Sequence, residues 1–194
     1  NTTTDDHTSY VAIGTVDVSI VVNPVNDPPV INNIAGDSVT YTEGSGLVAA
    51  APLAIDATQN ATVVDLDITD YGSDFDGGYL LVAFTPSDGV SEILSVNNQG
   101  TIPGQISFSS GTVSYTSSSG TVTVGTIDGT SDGEGTDLKI NLSTGATEES
   151  VAALIQQITY QNISEGPTAG LRTLTMTLDD NDGDDNDGKE NEAW

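Results

Sequence analysis

Three acidic clusters and one carboxamide-rich loop are the parts of this sequence whose residue types and spacing could do chemistry. Asp65-Leu66-Asp67 is followed by Asp70, Asp74 and Asp76. Asp128 and Asp132 lie in a stretch up to Asp137 where acids are separated by glycines. The third cluster, from Asp179 to Asp187, reads DDNDGDDND and contains Asp179, Asp180, Asp182 and Asp184. Carboxylate oxygens at this density suit calcium, a hard cation that takes about six to eight oxygen ligands. Read as a strand, Asp65 and Asp67 present both carboxylates on one side, either to a cation or as a solvated acidic edge that discourages aggregation. The 128–137 stretch lacks the spacing of an EF-hand loop, so an exposed hairpin tip is an equal reading. The 179–187 stretch lacks a terminal Glu at the EF-hand offset, leaving a calcium loop or a frayed end.

The uncharged candidate is Asn97-Asn98-Gln99-Gly100-Thr101-Ile102-Pro103-Gly104-Gln105. Asn98, Gln99, Gly100, Thr101, Gly104 and Gln105 offer carboxamides, a hydroxyl and flexible backbone that could hydrogen-bond a peptide or complete a metal shell. An ordinary polar loop is the other reading. Combined with Asp74 and Asp76, the loop would form a site where calcium, short of protein ligands, takes a carboxylate from a partner.

The charge balance narrows the possibilities. The chain has 194 residues, 29 Asp and Glu against 3 Lys and Arg, and a formal net charge of -26. Self-repulsion of this size opposes compaction unless cations neutralise it. Disorder is the other way out, but 36% hydrophobic residues and repeated Val/Ile/Leu/Thr runs point to a folded chain. Three scattered cations cannot build a nucleic-acid surface, and anionic membranes are disfavoured for the same reason. No apolar run approaches the ~18 residues of a membrane-spanning helix, so no direct membrane insertion is expected. With no cysteine and a single histidine, His7, zinc, haem and iron–sulfur sites are disfavoured, as are thiol and His-based nucleophilic catalysis. A paired-carboxylate glycosidase would want aromatic platforms, and aromatics are only 5% of the chain, so no enzyme activity is expected.

The elements that must position these residues read as strands separated by Gly, Asn, Asp and Ser turns, which predicts an all-β antiparallel sandwich with calcium-binding loops. Strands are expected at Tyr10–Val22, Ser38–Thr42, Ala61–Thr69, Tyr79–Thr85, Ile93–Val96, Ile106–Phe108, Thr112–Thr116, Thr121–Ile127, Leu138–Leu142 and Arg172–Leu178. One short helix interrupts them. Thr147 is a suitable N-cap, Glu148 and Glu149 favour a first turn, and Val151, Leu154, Ile155 and Ile158 fall on one face. Strand is expected to resume over Thr159–Ile163.

The connector Asn23-Pro24-Val25-Asn26-Asp27-Pro28-Pro29-Val30 resembles the junction between tandem immunoglobulin-like or cadherin-like repeats in giant bacterial adhesins of the repeats-in-toxin type. The run from Asp65 to Asp182 is similar to one repeat of these proteins. Its marks are Asp74-Phe75-Asp76-Gly77-Gly78-Tyr79-Leu80, Asn98-Gln99-Gly100-Thr101 with Gly104-Gln105-Ile106, Ile158-Thr159-Tyr160-Gln161-Asn162, and Leu174-Thr175-Met176-Thr177-Leu178-Asp179-Asp180. The resemblance implies an extracellular, calcium-dependent module on a bacterial surface, flanked by tandem repeats, that binds a peptide or protein C-terminus on another cell. A purely structural extender domain rigidified by calcium is the alternative. The expected organisation is a closing strand and linker of a preceding repeat over 1–27 (or a swapped strand), a ligand-binding sandwich over 28–188 and a tail over 189–194.

Overall fold

The computed structural model describes residues 14–21, 27–45, 48–71, 74–85, 87 and 89–181. Two antiparallel sheets close on one apolar core, as the strand pattern predicts. The larger has six strands in the order β11 (Thr173–Asp179), β4 (Tyr79–Thr85), β9 (Leu138–Leu142), β8 (Gly120–Asp132), β7 (Thr112–Ser117) and β6 (Gln105–Ser109). The smaller has β2 (Leu53–Ala54), β10 (Ile158–Asn162) and β5 (Glu92–Val96), and a two-stranded ribbon pairs β1 (Val30–Asn32) with β3 (Thr62–Val64).

Alternation explains the best-placed strands. In β4, Leu80 and Val82 are fully buried between half-buried neighbours, and β9 buries Leu138, Ile140 and Leu142 in the same rhythm. A side-chain period of two with one face covered permits a single register. Leu80 accordingly lies opposite Ile140, and Val82 opposite Leu138.

There are two short helices where one was expected. α2 (Glu148–Gln156) begins as its sequence predicts: Thr147 Oγ1 accepts from the Ser150 N–H, and Ser150 Oγ accepts from the Thr147 N–H, a capping box. Nine residues make a marginal helix alone. Burial of Val151, Leu154 and Ile155, roughly 1.5–3 kcal/mol for each side chain, supplies what hydrogen bonding cannot. Ile158 opens β10 instead of extending the helix.

α1 (Leu66–Tyr71) is the helix that alternation hid. The strand expected over Ala61–Thr69 ends at Val64, because Asp65 Oδ1 accepts from the backbone N–H groups of Asp67 (3.0 Å) and Ile68 (3.2 Å). An aspartate that caps two backbone donors ahead of it starts a helix. Three other expectations also change. Ser38–Thr42 joins no ladder; Tyr41 instead packs edge-on against Tyr160 and donates from its hydroxyl to the Asn162 carbonyl at 2.9 Å. Residues 14–21 have no strand partner and are exposed, while the rest of the Tyr10–Val22 strand lies outside the described residues. β8 runs on through Asp132, with an irregularity between Ile127 and Asp132, so Asp128 belongs to a strand and not to a loop.

The two sheets are tied by a buried ionic cluster. Glu92 on β5 is fully buried; its Oε1 accepts from Arg172 Nε at 2.7 Å and from the Tyr160 hydroxyl at 2.8 Å. Burial, aided by the Glu92 hydrogen bond, pushes the Tyr160 phenol up to about 12. Changing Glu92→Gln strips the guanidinium of its buried counter-charge and is expected to cost about 3–5 kcal/mol in urea unfolding. Because the folded phenol holds its proton to higher pH than the unfolded one, stability should fall as pH rises from the ordinary value of 10.0 through about 12. Tyr160→Phe should flatten that part of an alkaline stability profile.

Candidate metal and ligand sites

Among the described residues, several of the sequence's acids meet at one buried pole, apart from the buried Glu92 and Asp56 and from acids nearer the surface. At the pole, Asp65 is 1% exposed, Asp180 6% and Asp67 8%, and the Oδ2 atoms of Asp65 and Asp180 are shut off from solvent. Burial, with the nearby charges of Asp180 and Asp67 adding to it, raises the Asp65 carboxyl above its ordinary value despite its two backbone donors. Two residues not singled out as ligands join it. The Asp27 N–H donates to Asp67 Oδ2 at 2.5 Å, and the Asp65 N–H donates to Glu148 Oε1 at 2.6 Å. Asp27 stood in the connector and Glu148 read only as a first-turn acid of α2. Nothing local in either stretch marked them as neighbours of Asp65-Leu66-Asp67.

The Asp74–Gly78 turn leans on the residues that follow β11. Gly77 has φ +85°, and a Cβ on Gly78 would collide with the Asp179 carbonyl. Only glycine permits that approach. Asp74 Oδ1 accepts from the Asp76 N–H at 3.0 Å, and Asp179 Oδ1 accepts from the Asn181 N–H at 3.0 Å. The fold thus brings Asp65, Asp67 and Asp180 together and sets the Asp74–Asp76 turn beside Asp179. Asp70 lies in α1, and its side chain is not among those described; Asp182 and Asp184 lie outside the described residues. Among the described residues, no three acids stand together at metal-holding spacing.

Asp128 and Asp132 belong elsewhere. Asp128 Oδ1 accepts from the Thr130 hydroxyl at 2.6 Å and its N–H at 2.8 Å, and Asn141 Nδ2 donates to the other oxygen. These donors, the Thr130 hydroxyl foremost, hold the carboxyl down to about 2. Asp132 Oδ1 accepts from the Glu134 N–H and the Thr136 hydroxyl. Asp128 braces the irregular stretch of β8 and Asp132 the turn that follows it, a sufficient local reason for the acids among these glycines.

The carboxamide loop is resolved by its donors. Asn98 Oδ1 accepts from the Phe108 N–H (3.3 Å), Gln99 Oε1 from the Ile106 N–H (3.0 Å) and Gln105 Oε1 from the Ile102 N–H (3.1 Å). A backbone N–H can only donate, so each side chain turns its oxygen inward and keeps its NH2 group for another acceptor. The oxygens a cation would want are engaged; the groups a peptide carbonyl or carboxylate would want are available. Gly104 borders a cleft of about 380 Å³ between α2 and β3, where Ala61, Val63, Ala152 and Ala153 meet Tyr115, Glu148 and Glu149. Tyr115 donates to Glu149 Oε1 at 2.7 Å, which raises the phenol above its ordinary value. No hydrogen bond among the described residues joins this loop to the Asp74–Asp76 turn.

Among the described residues, the partly buried Arg172 pairs with Glu92, and Lys139 Nζ sits 4.3 Å from the Tyr79 ring centroid. Comparison of the chain with protein-family models, with curated proteins and with solved structures finds no match in any of the three.

Proposed function

We propose that this chain is a calcium-dependent adhesion module of a bacterial cell-surface protein, binding a peptide or protein C-terminus presented by another cell. The observation that carries the reading is the buried pole: Asp65, Asp67 and Asp180 are covered together in a chain of net charge -26. Carboxylates crowded out of water are costly unless a cation compensates them. Hard oxygen donors contributed by separate chain segments suit calcium better than any softer metal. Asp65, Asp67 and Asp180 would supply carboxylates to the ion; because no three acids among the described residues stand at metal-holding spacing, the shell would need further oxygens, and Asp182 and Asp184 follow Asp180 in sequence. Bound calcium supplies the counter-charge that lets the acids stay ionised while buried.

The same ion has a consequence for ligand capture. A C-terminal carboxylate approaching this chain meets a strongly repulsive field, softened by calcium and by salt over a Debye length of about 8 Å. The amide NH2 groups of Asn98, Gln99 and Gln105 are donors of the kind such a carboxylate or peptide backbone accepts. The extender alternative, in which calcium rigidifies and no ligand binds, is favoured by one observation. Asp27, just before β1, and Asp180, just after β11, meet the same acidic pole, where an ion would set the angle between the flanking connectors.

Calcium at a thousandfold excess over its Kd should stabilise the fold by about 4 kcal/mol, read as a rise in Tm over the chelated protein. Asp65→Asn separates this from a structural role, because asparagine caps a helix as well as aspartate does. The variant should melt at or above the parent in chelator yet lose most of the calcium-induced gain; an unchanged gain would remove the pole from the site. For the ligand, a peptide array displayed with free or amidated C-termini should show calcium-dependent capture of free carboxylates, weakened several-fold by Gln99→Ala. Uniform failure to capture would leave the extender reading standing.

A further inference from the structure

We infer that residues 14–21 form an additional strand on the β11 edge of a second copy of this chain, exchanged reciprocally between two molecules. The first half of the argument is the segment itself. Val16, Val18, Ile20 and Val21 are 86%, 78%, 80% and 84% exposed, with polar Thr15, Asp17 and Ser19 between them. Period-two alternation of β-branched residues is a strand pattern, and a contiguous apolar row in water calls for a covering surface.

The second half is the edge. In β4, Leu80 and Val82 are fully buried and Phe84 nearly so, yet the residues directly opposite them on β11, Leu178, Met176 and Leu174, are only half-buried. They pack against the core on one side and lack a neighbour on the other, since β11 is the outermost strand of its sheet among the described residues. Such an edge accepts one more strand. An antiparallel register placing Val18 opposite Met176 also places Val16 opposite Leu178 and Ile20 opposite Leu174. The same register sets Asp17 and Ser19 opposite Thr177 and Thr175 on the polar face. Donor and acceptor therefore match in length, period and facing.

A second molecule is the partner because, among the described residues, both halves are left open: residues 14–21 are exposed and pair with no strand, and β11 has no outer neighbour. Prolines at 24, 28 and 29 stiffen the sequence between the segment and β1, which favours donation outward over folding back. Reciprocal donation uses the same surface on both copies and closes as a two-fold dimer. Two molecules of charge -26 repel each other, so the dimer should tighten as salt rises.

The full chain, followed by light scattering across a wide protein-concentration range, should double in mass as concentration and salt increase. Val18→Asp, outside the folded body, should stay monomeric with unchanged circular dichroism and Tm. The absence of native cysteine permits a direct test of register. When the single variants Val18→Cys and Met176→Cys are mixed under mild oxidation, a covalent heterodimer should form in preference to either homodimer. A parent that stays monomeric at every concentration and salt level overturns the inference. So does a Val18→Asp chain that dimerises like the parent, or a chain carrying both Val18→Cys and Met176→Cys that closes its disulfide within one molecule.

Discussion

Uncompensated negative charge is the constraint on which the rest of this structure depends. With 29 acids and 3 bases, the chain cannot neutralise itself by ion pairing. It spends Arg172 inside the molecule, where Glu92 and Tyr160 on the smaller sheet meet the start of β11. Among the described acids, two local arrangements recur. Asp128 and Asp132 are met by hydroxyl and backbone donors, and at Asp128 these donors stabilise the charged form where it stands. Asp65, Asp67 and Asp180 are instead buried, and burial together with the charges of Asp180 and Asp67 makes Asp65 harder to ionise.

Two buried aspartates show that burial alone does not define a site. Asp56 is as covered as Asp65, but its carboxylate accepts from the N–H groups of Thr58 and Ala61 and serves the loop between β2 and β3. Asp65 also caps a helix, yet it additionally faces other carboxylates. Proximity of like charge, more than lack of solvent, distinguishes the pole from an ordinary structural aspartate.

How much of this was legible in the sequence follows from the range of the interactions. β4 and β9 are bounded as their alternation predicts, because one face of each is completely covered. α2 starts at Thr147 because its cap lies within four residues of sequence. The Ala61–Thr69 strand was misread where two local signals competed: Val63, Asp65 and Asp67 alternate as in a strand, but the Asp65 carboxylate prefers the N–H groups two and three residues ahead. Ser38–Thr42 carried strand-like residues and found no ladder. The acids at the pole were visible one by one, but their meeting was not. It depends on contacts such as Asp27 with Asp67, 40 residues apart, and Asp65 with Glu148, 83 apart. Likewise the carboxamide loop was recognisable by composition, while the inward turn of its oxygens required the backbone of β6 to be in place.

The meeting of Asp27 and Asp180 at one pole also determines how the module would respond to being pulled. Tension applied through the residues before Asp27 and after Asp180 enters the fold at neighbouring points, and the line of force between them runs across the acids. Such tension would load the Asp27–Asp67 hydrogen bond and the acids beside it, so resistance to force at this end would respond to local ionic conditions.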